Sequence, residues 1–222
     1  ALLKTGRYQF ICLGGAMKHA DYTPVTVDPY GTDFLIVPVD GYGNPEVVRS
    51  ALRKEKPDVL WFMTDPRFYE WLWEIEDEVR ALIPMVYYHV WDNFPVPMYN
   101  KVFYDSTDYV VSISRVTEQI VKACSPDNFG AHISHAVNSE YFKKITDSEQ
   151  LKAVEGTKQQ ILNSGDNFKN PKKKIFFWNN RNARRKQSGT LIWWFKEWLD
   201  KVGHDKAVLL MHTDARDQHG QD

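Results

Sequence analysis

The feature that most constrains the fold is a regular alternation of short apolar runs with longer amphipathic stretches. Residues 58–63 form a run that is apolar on both faces, which is typical of a strand buried in a parallel sheet. The next stretch, 66–82, has apolar residues at helical spacing. Repeated strand-helix units with right-handed crossovers predict an α/β fold of the Rossmann-like, doubly wound type.

The same pattern predicts the other elements. Predicted strands cover 8–13, 34–39, 58–63, 85–90, 109–113, 131–134, 175–178 and 207–211. Predicted helices cover 45–56, 66–82, 96–105, 117–123 and 190–202. We therefore expect two α/β lobes with a cleft between them, and a parallel sheet of at least five strands in the first lobe.

A polar stretch divides the chain. The predicted first domain covers 1–142, a connecting segment covers 143–174, and a second α/β domain starts within 175–222. One strand-helix-strand unit buries too little apolar surface to be stable alone, so the second domain is predicted to be truncated. The chain also starts without a methionine, at what reads as the last turn of a helix, so we expect a first strand to be missing.

Charge and cysteine content exclude several classes of partner. The 28 Lys and Arg residues nearly balance 29 Asp and Glu residues, which gives no overall reason to bind nucleic acid or an acidic membrane. We find no signal peptide and no apolar run of the roughly 18 residues that a transmembrane helix needs. Cys12 and Cys124 are too few for a disulfide framework, which favours a reducing cytoplasm. His132 and His135 lack a third ligand at usable spacing, so no metal site is predicted.

Candidate site residues follow the predicted strands, because ligands of doubly wound sheets bind beyond the carboxyl ends of the strands. His89 ends a strand and has a carboxylate, Asp92, three residues on; a functional and a purely structural histidine are both open. Asp65 stands before Pro66, where capping of a helix is favoured over a ligand contact. The other residues predicted to line the cleft are Asn93, Ser114, His135 and Asn138.

A second candidate is the basic stretch 179–186, which follows a predicted strand and precedes a helix. Its cations are Arg181, Arg184, Arg185 and Lys186. Positive charge at such a turn suits a phosphate group near a helix N-terminus. A solvated basic loop is the equally weighted alternative, and a nucleic-acid patch is less favoured because no known module accompanies it.

Three segments follow sequence patterns of one enzyme family. Residues 133–142, ISHAVNSEYF, resemble the pattern I-P-H-G-V-D-x-x-x-F. Residues 177–181 followed by Lys186 are similar to an F-V-G-R strand end with a lysine five residues after the arginine. Residues 109–117 resemble the pattern V-V-A-x-S-x-x-T. In these segments the chain resembles retaining, nucleotide-sugar-dependent glycosyltransferases of the GT-B fold, in their group 1 or family 4-like branch. Asn180 and Ala136 replace family glycines, and Asn138 replaces an aspartate.

The resemblance implies a hexosyltransferase-like enzyme that moves a sugar, with retention, from a nucleotide-diphosphate sugar to an acceptor hydroxyl. It implies no cofactor and no metal, because Arg181 and Lys186 would neutralise the departing diphosphate. His89 and Asp92 would be the catalytic residues on the acceptor side, in residues 1–142. The acceptor itself, whether glycan, lipid, protein or small molecule, is not implied.

The resemblance also implies that the first strand would precede Ala1 and that most of the donor domain would follow Asp222. We therefore expect the 222-residue chain to be a fragment with little or no activity of its own. The alternatives are a GT-B relative such as a nucleotide-sugar epimerase, and a non-catalytic α/β binding or scaffold protein.

Overall fold

A computed structural model describes residues 2–15, 17, 19–91, 93–163 and 172–217. The chain divides into two compact units, unit 1 at residues 1–137 and unit 2 at residues 138–222. No helix in the described part of the chain is both long enough and apolar enough to cross a membrane.

Unit 1 contains seven strands among its described residues. They are β1 (Phe10–Gly14), β2 (Val25–Val27), β3 (Gly31–Pro38), β4 (Leu60–Thr64), β5 (Met85–His89), β6 (Tyr109–Ser112) and β7 (Phe129–His132). Its helices are α1 (Pro45–Glu55), α2 (Glu70–Trp73), α3 (Glu76–Arg80), α4 (Lys101–Asp105) and α5 (Arg115–Cys124). Most of these elements coincide with predicted ones to within a few residues.

A four-stranded parallel sheet in the order β4-β5-β6-β7 is the centre of unit 1. Helix residues Val79 and Ile120 pack against its buried strand residues Met85 and Tyr87. The predicted combination of a parallel sheet with flanking helices is thus confirmed. On β4, Trp61 stays 55% exposed. A layer of helices on that face of the sheet, and with it the doubly wound GT-B fold, stays a prediction.

The remaining strands of unit 1 form a separate sheet in the order β1-β3-β2. β1 runs parallel to β3, whereas β2 runs antiparallel to it. The prediction of one parallel sheet with at least five strands is therefore wrong for the described residues. The sequence analysis missed β2, which pairs with one edge of β3 while β1 pairs with the other, and the strands from β4 onwards form a second sheet.

The predicted helix over 66–82 is also wrong as a continuous element. It is a 3-10 turn at Pro66–Phe68 followed by α2 and α3. The backbone leaves helical geometry at Tyr69 and Ile75, whose φ angles are −132° and −112°. Leu72 and Trp73 of α2 are both buried, Leu72 in the cluster that contains Met85 and Trp73 in the cluster that contains Tyr87.

Unit 2 consists of α6 (Ser148–Asn163), β8 (Lys174–Asn179), α7 (Ser188–Val202) and β9 (Ala207–His212). β8 and β9 pair in parallel along their full length, from Lys174 opposite Ala207 to Asn179 opposite His212. Phe176 of β8 packs on Trp198 of α7, with ring centroids 5.5 Å apart. The predicted strand-helix-strand unit is present. Helix α6 lies in the predicted connecting segment and lines a cavity with Ile175 of β8.

Candidate functional site

The carboxyl ends of three neighbouring strands in unit 1 place Thr64, His89 and Ser112 side by side. All three are buried: Thr64 is 7% exposed, and His89 and Ser112 are 0% exposed. Strand-end topology thus brings three polar groups together at this edge, but they are buried.

Both ring nitrogens of His89 are hydrogen bonded. The Tyr87 hydroxyl donates to the Thr64 carbonyl at 2.9 Å, so its oxygen is left to accept from Nδ1–H of His89 at 3.0 Å. Nε2 then accepts from the Tyr104 hydroxyl at 2.7 Å. Burial lowers the pKa of His89 from 6.5 to about 3, so the ring is neutral near pH 7. The bonds fix its proton on Nδ1.

This arrangement favours the structural alternative for His89. A general base must reach the substrate proton within hydrogen-bonding distance, and here both nitrogens already have protein partners in a closed site. The catalytic role of His89 stays a prediction without support from its surroundings. Its predicted partner Asp92 lies outside the described residues, and Asn93 beyond it is exposed.

Asp65 acts as the cap that the sequence favoured. Its carboxylate accepts from the Arg67 backbone N–H at 3.1 Å, at the start of the 3-10 turn. The Arg67 guanidinium also donates to it at 2.5 Å, and this hydrogen bond lowers the pKa of Asp65. The side chain is satisfied by its own turn, which is a structural role at the carboxyl end of β4.

The other predicted cleft residues make local contacts. Ser114 caps α5, since its hydroxyl accepts from the Thr117 backbone N–H at 3.1 Å. The ring of His135 is exposed, and its centroid lies 5.4 Å from the ring centroid of Tyr88. Asn138, at the start of unit 2, accepts from the backbone N–H of Glu140 at 2.9 Å. Whether they line one ligand site stays a prediction.

An exposed aromatic pair at the carboxyl ends of β3 and β4 escaped the sequence analysis. Tyr42 and Phe68 stack with ring centroids 4.7 Å apart and are 55% and 44% exposed. Tyr42 stands between Gly41 and Gly43, whose φ angles of +55° and +76° shape the turn that presents it. The position of both aromatic residues just after a predicted strand end could have identified the pair from the sequence.

The basic turn of unit 2, residues 179–187, leads from β8 into α7. Its best-defined cation is Arg181, which donates from Nε and Nη2 to the two carboxylate oxygens of Asp217 at 2.5 and 3.0 Å. Arg181 is 63% exposed, whereas Asp217 is only 12% exposed. The contact raises the pKa of Arg181, which stays charged. A fixed, solvent-accessible guanidinium therefore stands at the carboxyl edge of β8 and β9.

A buried hydrogen bond fixes the rest of the basic turn to α7. The Ser188 hydroxyl donates to Asn182 Oδ1 at 2.6 Å, and these residues are 4% and 3% exposed. Lys186 is half-buried within a 3-10 turn, and its backbone N–H donates to the Ala183 carbonyl at 2.7 Å. Gln187, at φ +56°, then redirects the chain into α7. The cations of this turn thus stand on an anchored backbone.

The last residue of β9 and the residues after it complete this edge, and the sequence analysis missed them. His212 shares a 2.9 Å hydrogen bond with Asn179 of β8, and the Thr213 hydroxyl is buried without a hydrogen-bond partner in the described part of the chain. Asp217 was not singled out because its contact depends on how the chain returns to β8. The strand-end rule, applied to β9 as it was to β5, would have drawn attention to this segment.

Comparison with known proteins adds no family to these observations: no protein-family model and no curated protein matches the chain. Among the residues that the structure describes, no group of three or more His, Cys, Asp or Glu side chains is arranged to hold a metal ion. The absence of a metal and of a cofactor stays a prediction.

Proposed function

We propose that the chain is part of a retaining GT-B-type glycosyltransferase that moves a sugar from a nucleotide-diphosphate donor to an acceptor hydroxyl. The observation that carries the proposal is the anchored, exposed Arg181 at the carboxyl edge of the parallel strands β8 and β9. Parallel α/β sheets bind ligands at this edge. The sequence resemblance in residues 177–186 supports the same assignment.

The chemistry of sugar transfer gives Arg181 a specific task. The diphosphate leaving group gains negative charge as the glycosidic bond breaks, so a cation already in place stabilises the transition state more than the ground state. A guanidinium can bind two phosphate oxygens at once. Lys186 belongs to the same proposal as a second cation, just before the N-terminus of α7.

The proposal rests on unit 2. Unit 1 supports it through its parallel sheet, while the acceptor-side roles of His89 and Asp92 stay predictions from the position of His89 at the end of a strand. A cytoplasmic location is also part of the proposal, since Cys12 and Cys124 are free.

Titration calorimetry of the whole chain with UDP, GDP and ADP, with and without EDTA, tests the donor site. We expect one of them to bind in EDTA, and Arg181→Ala and Lys186→Ala to weaken binding strongly. In an assay of sugar transfer, the same variants should lose on the order of a hundredfold in rate. Arg184→Ala is the matched control from the same turn and should behave as wild type.

Equal, small effects at all three positions would return the turn to a solvated basic loop. Product analysis separates the rival enzyme: transfer releases the nucleoside diphosphate, whereas an epimerase returns a nucleotide sugar with altered stereochemistry.

A further inference from the structure

We infer that Asp217 is a positioning residue for Arg181, holding its guanidinium ready for the donor diphosphate. This inference rests on the proposed function of the same turn. It goes beyond it in assigning a task to a carboxylate, a group that by its charge alone should repel a diphosphate. The geometry of the ion pair decides between these two effects.

The contact leaves one edge of the guanidinium to other partners. Asp217 takes Nε–H and one proton of Nη2, while a guanidinium has five N–H donors in a rigid fork. The edge formed by Nη1 and the second Nη2 proton is not occupied by Asp217. That edge has the bidentate geometry that suits a phosphate group.

Burial shows which partner is fixed. Asp217 is 12% exposed and Arg181 is 63% exposed, so the carboxylate is the anchored member and the guanidinium is the accessible one. Asp217 follows β9 and Arg181 follows β8, whose ends are in register at Asn179 and His212. The pair therefore ties the loop after one strand to the loop after its neighbour.

The position of the guanidinium decides how the two opposing effects of Asp217 compare. A diphosphate on the far edge of Arg181 would have the positive guanidinium between it and Asp217, and this charge offsets the repulsion between the two anions. Loss of Asp217 would free a long side chain with many rotamers, and a ligand would then have to immobilise it. Positioning should therefore outweigh repulsion.

Two substitutions separate positioning from charge. Asp217→Ala removes both the acceptor and the charge, while Asp217→Asn removes the charge but keeps an oxygen that can accept from Arg181. In calorimetry with the diphosphate that the wild-type chain binds best, we expect Asp217→Ala to weaken binding about tenfold. Asp217→Asn should weaken it by less than about threefold, which would be rescue by the conservative variant.

Two controls exclude general effects of charge and folding. Asp214→Ala removes an equal charge from the same segment, at a side chain that caps the Arg216 backbone N–H, and should bind as wild type. In an Arg181→Ala background, Asp217→Ala should have no further effect, because a positioning residue has nothing left to position. A merely structural role would weaken binding in that background too.

Opposite results have distinct meanings. Tighter binding by both Asp217 variants would make Asp217 a competing anion and overturn the inference, with the donor site intact. Unchanged binding by Asp217→Ala would also overturn it alone. If the wild-type chain binds none of the three diphosphates, the proposed function and this inference fail together.

Discussion

His89 in unit 1 and Arg181 in unit 2 hold equivalent places, each at or just after the carboxyl end of a parallel strand, in opposite environments. His89 is 0% exposed and neutral, since burial lowers its pKa to about 3. Arg181 is 63% exposed and charged, and Asp217 raises its pKa. A strand end therefore supplies the position of a polar side chain, but the neighbouring residues determine whether a ligand can reach it.

The difference follows from what covers each residue. His89 is enclosed by Tyr87 from its own strand and by Tyr104 from α4, and both hydroxyls bind its ring. Arg181 stands in the irregular stretch between β8 and the following 3-10 turn and is held from one side by Asp217. The contrast predicts that His89 matters for stability and Arg181 for binding.

The largest expected effect is on stability, at His89. His89→Ala removes a fully buried ring and leaves the buried Tyr104 hydroxyl without its acceptor, which should cost about 3 to 5 kcal/mol in the free energy of unfolding. Urea titration measures this loss. His135→Ala, at an exposed histidine, is the control and should cost less than about 1 kcal/mol. Equal losses for both histidines would break the comparison.

A smaller effect is expected from pH. An unfolded histidine takes up a proton below its ordinary pKa of 6.5, whereas folded His89 stays neutral down to about 3. The stabilisation is complete above pH 6.5 and is lost as the pH falls from there towards 3. At about 1.4 kcal/mol per pH unit, His89 should make the free energy of unfolding about 2 kcal/mol lower at pH 5 than at pH 6.5.

The matched variant is His89→Gln, which can accept from Tyr104 and donate to Tyr87 without titrating. The difference between wild type and this variant should grow as the pH falls through the window. Parallel pH profiles for the two proteins would show that His89 takes up its proton at the same pH in the folded and in the unfolded chain, contrary to its closed surroundings.

The smallest expected effect is on the stability of Arg181→Ala. Arg181 is the exposed member of its ion pair with Asp217, so water screens the contact and the long side chain loses freedom in forming it, which leaves a small contribution to folding. Calorimetric unfolding midpoints of this variant and of the wild type should agree within error, although diphosphate binding falls. A midpoint lowered as far as in His89→Ala would make the ion pair a structural feature.

Elements with a clear apolar period were predictable from the sequence. The strand ending at His89 and helix α7 were found within a few residues, because each buries one long apolar run or stripe. Strand β2 was not, since Val25–Val27 is too short to show a pattern. The breaks at Tyr69 and Ile75 interrupt a stretch whose apolar residues keep helical spacing, so periodicity does not reveal them.

Candidate site residues were predictable in position more than in role. The capping of Asp65 followed from local sequence, because its partner Arg67 is two residues away. The enclosure of His89 depends on Tyr104, and the anchoring of Arg181 depends on Asp217; both partners are distant in sequence. Contacts of this kind are set by the folded chain, so a linear pattern could not reveal them.

The hydrogen bonds around His89 also make its Nδ1–H a hydrogen-exchange probe for the opening of unit 1. The hydrogen bonds form a chain in which Tyr104 donates to His89, His89 donates to Tyr87, and Tyr87 donates to the Thr64 carbonyl. The Nδ1–H of His89 lies within this chain and is buried from water. Such a proton exchanges with solvent only when the surrounding structure opens. Its imidazole resonance should therefore persist in D₂O for as long as the most protected amides of β5, and its decay would time the opening of this part of the protein.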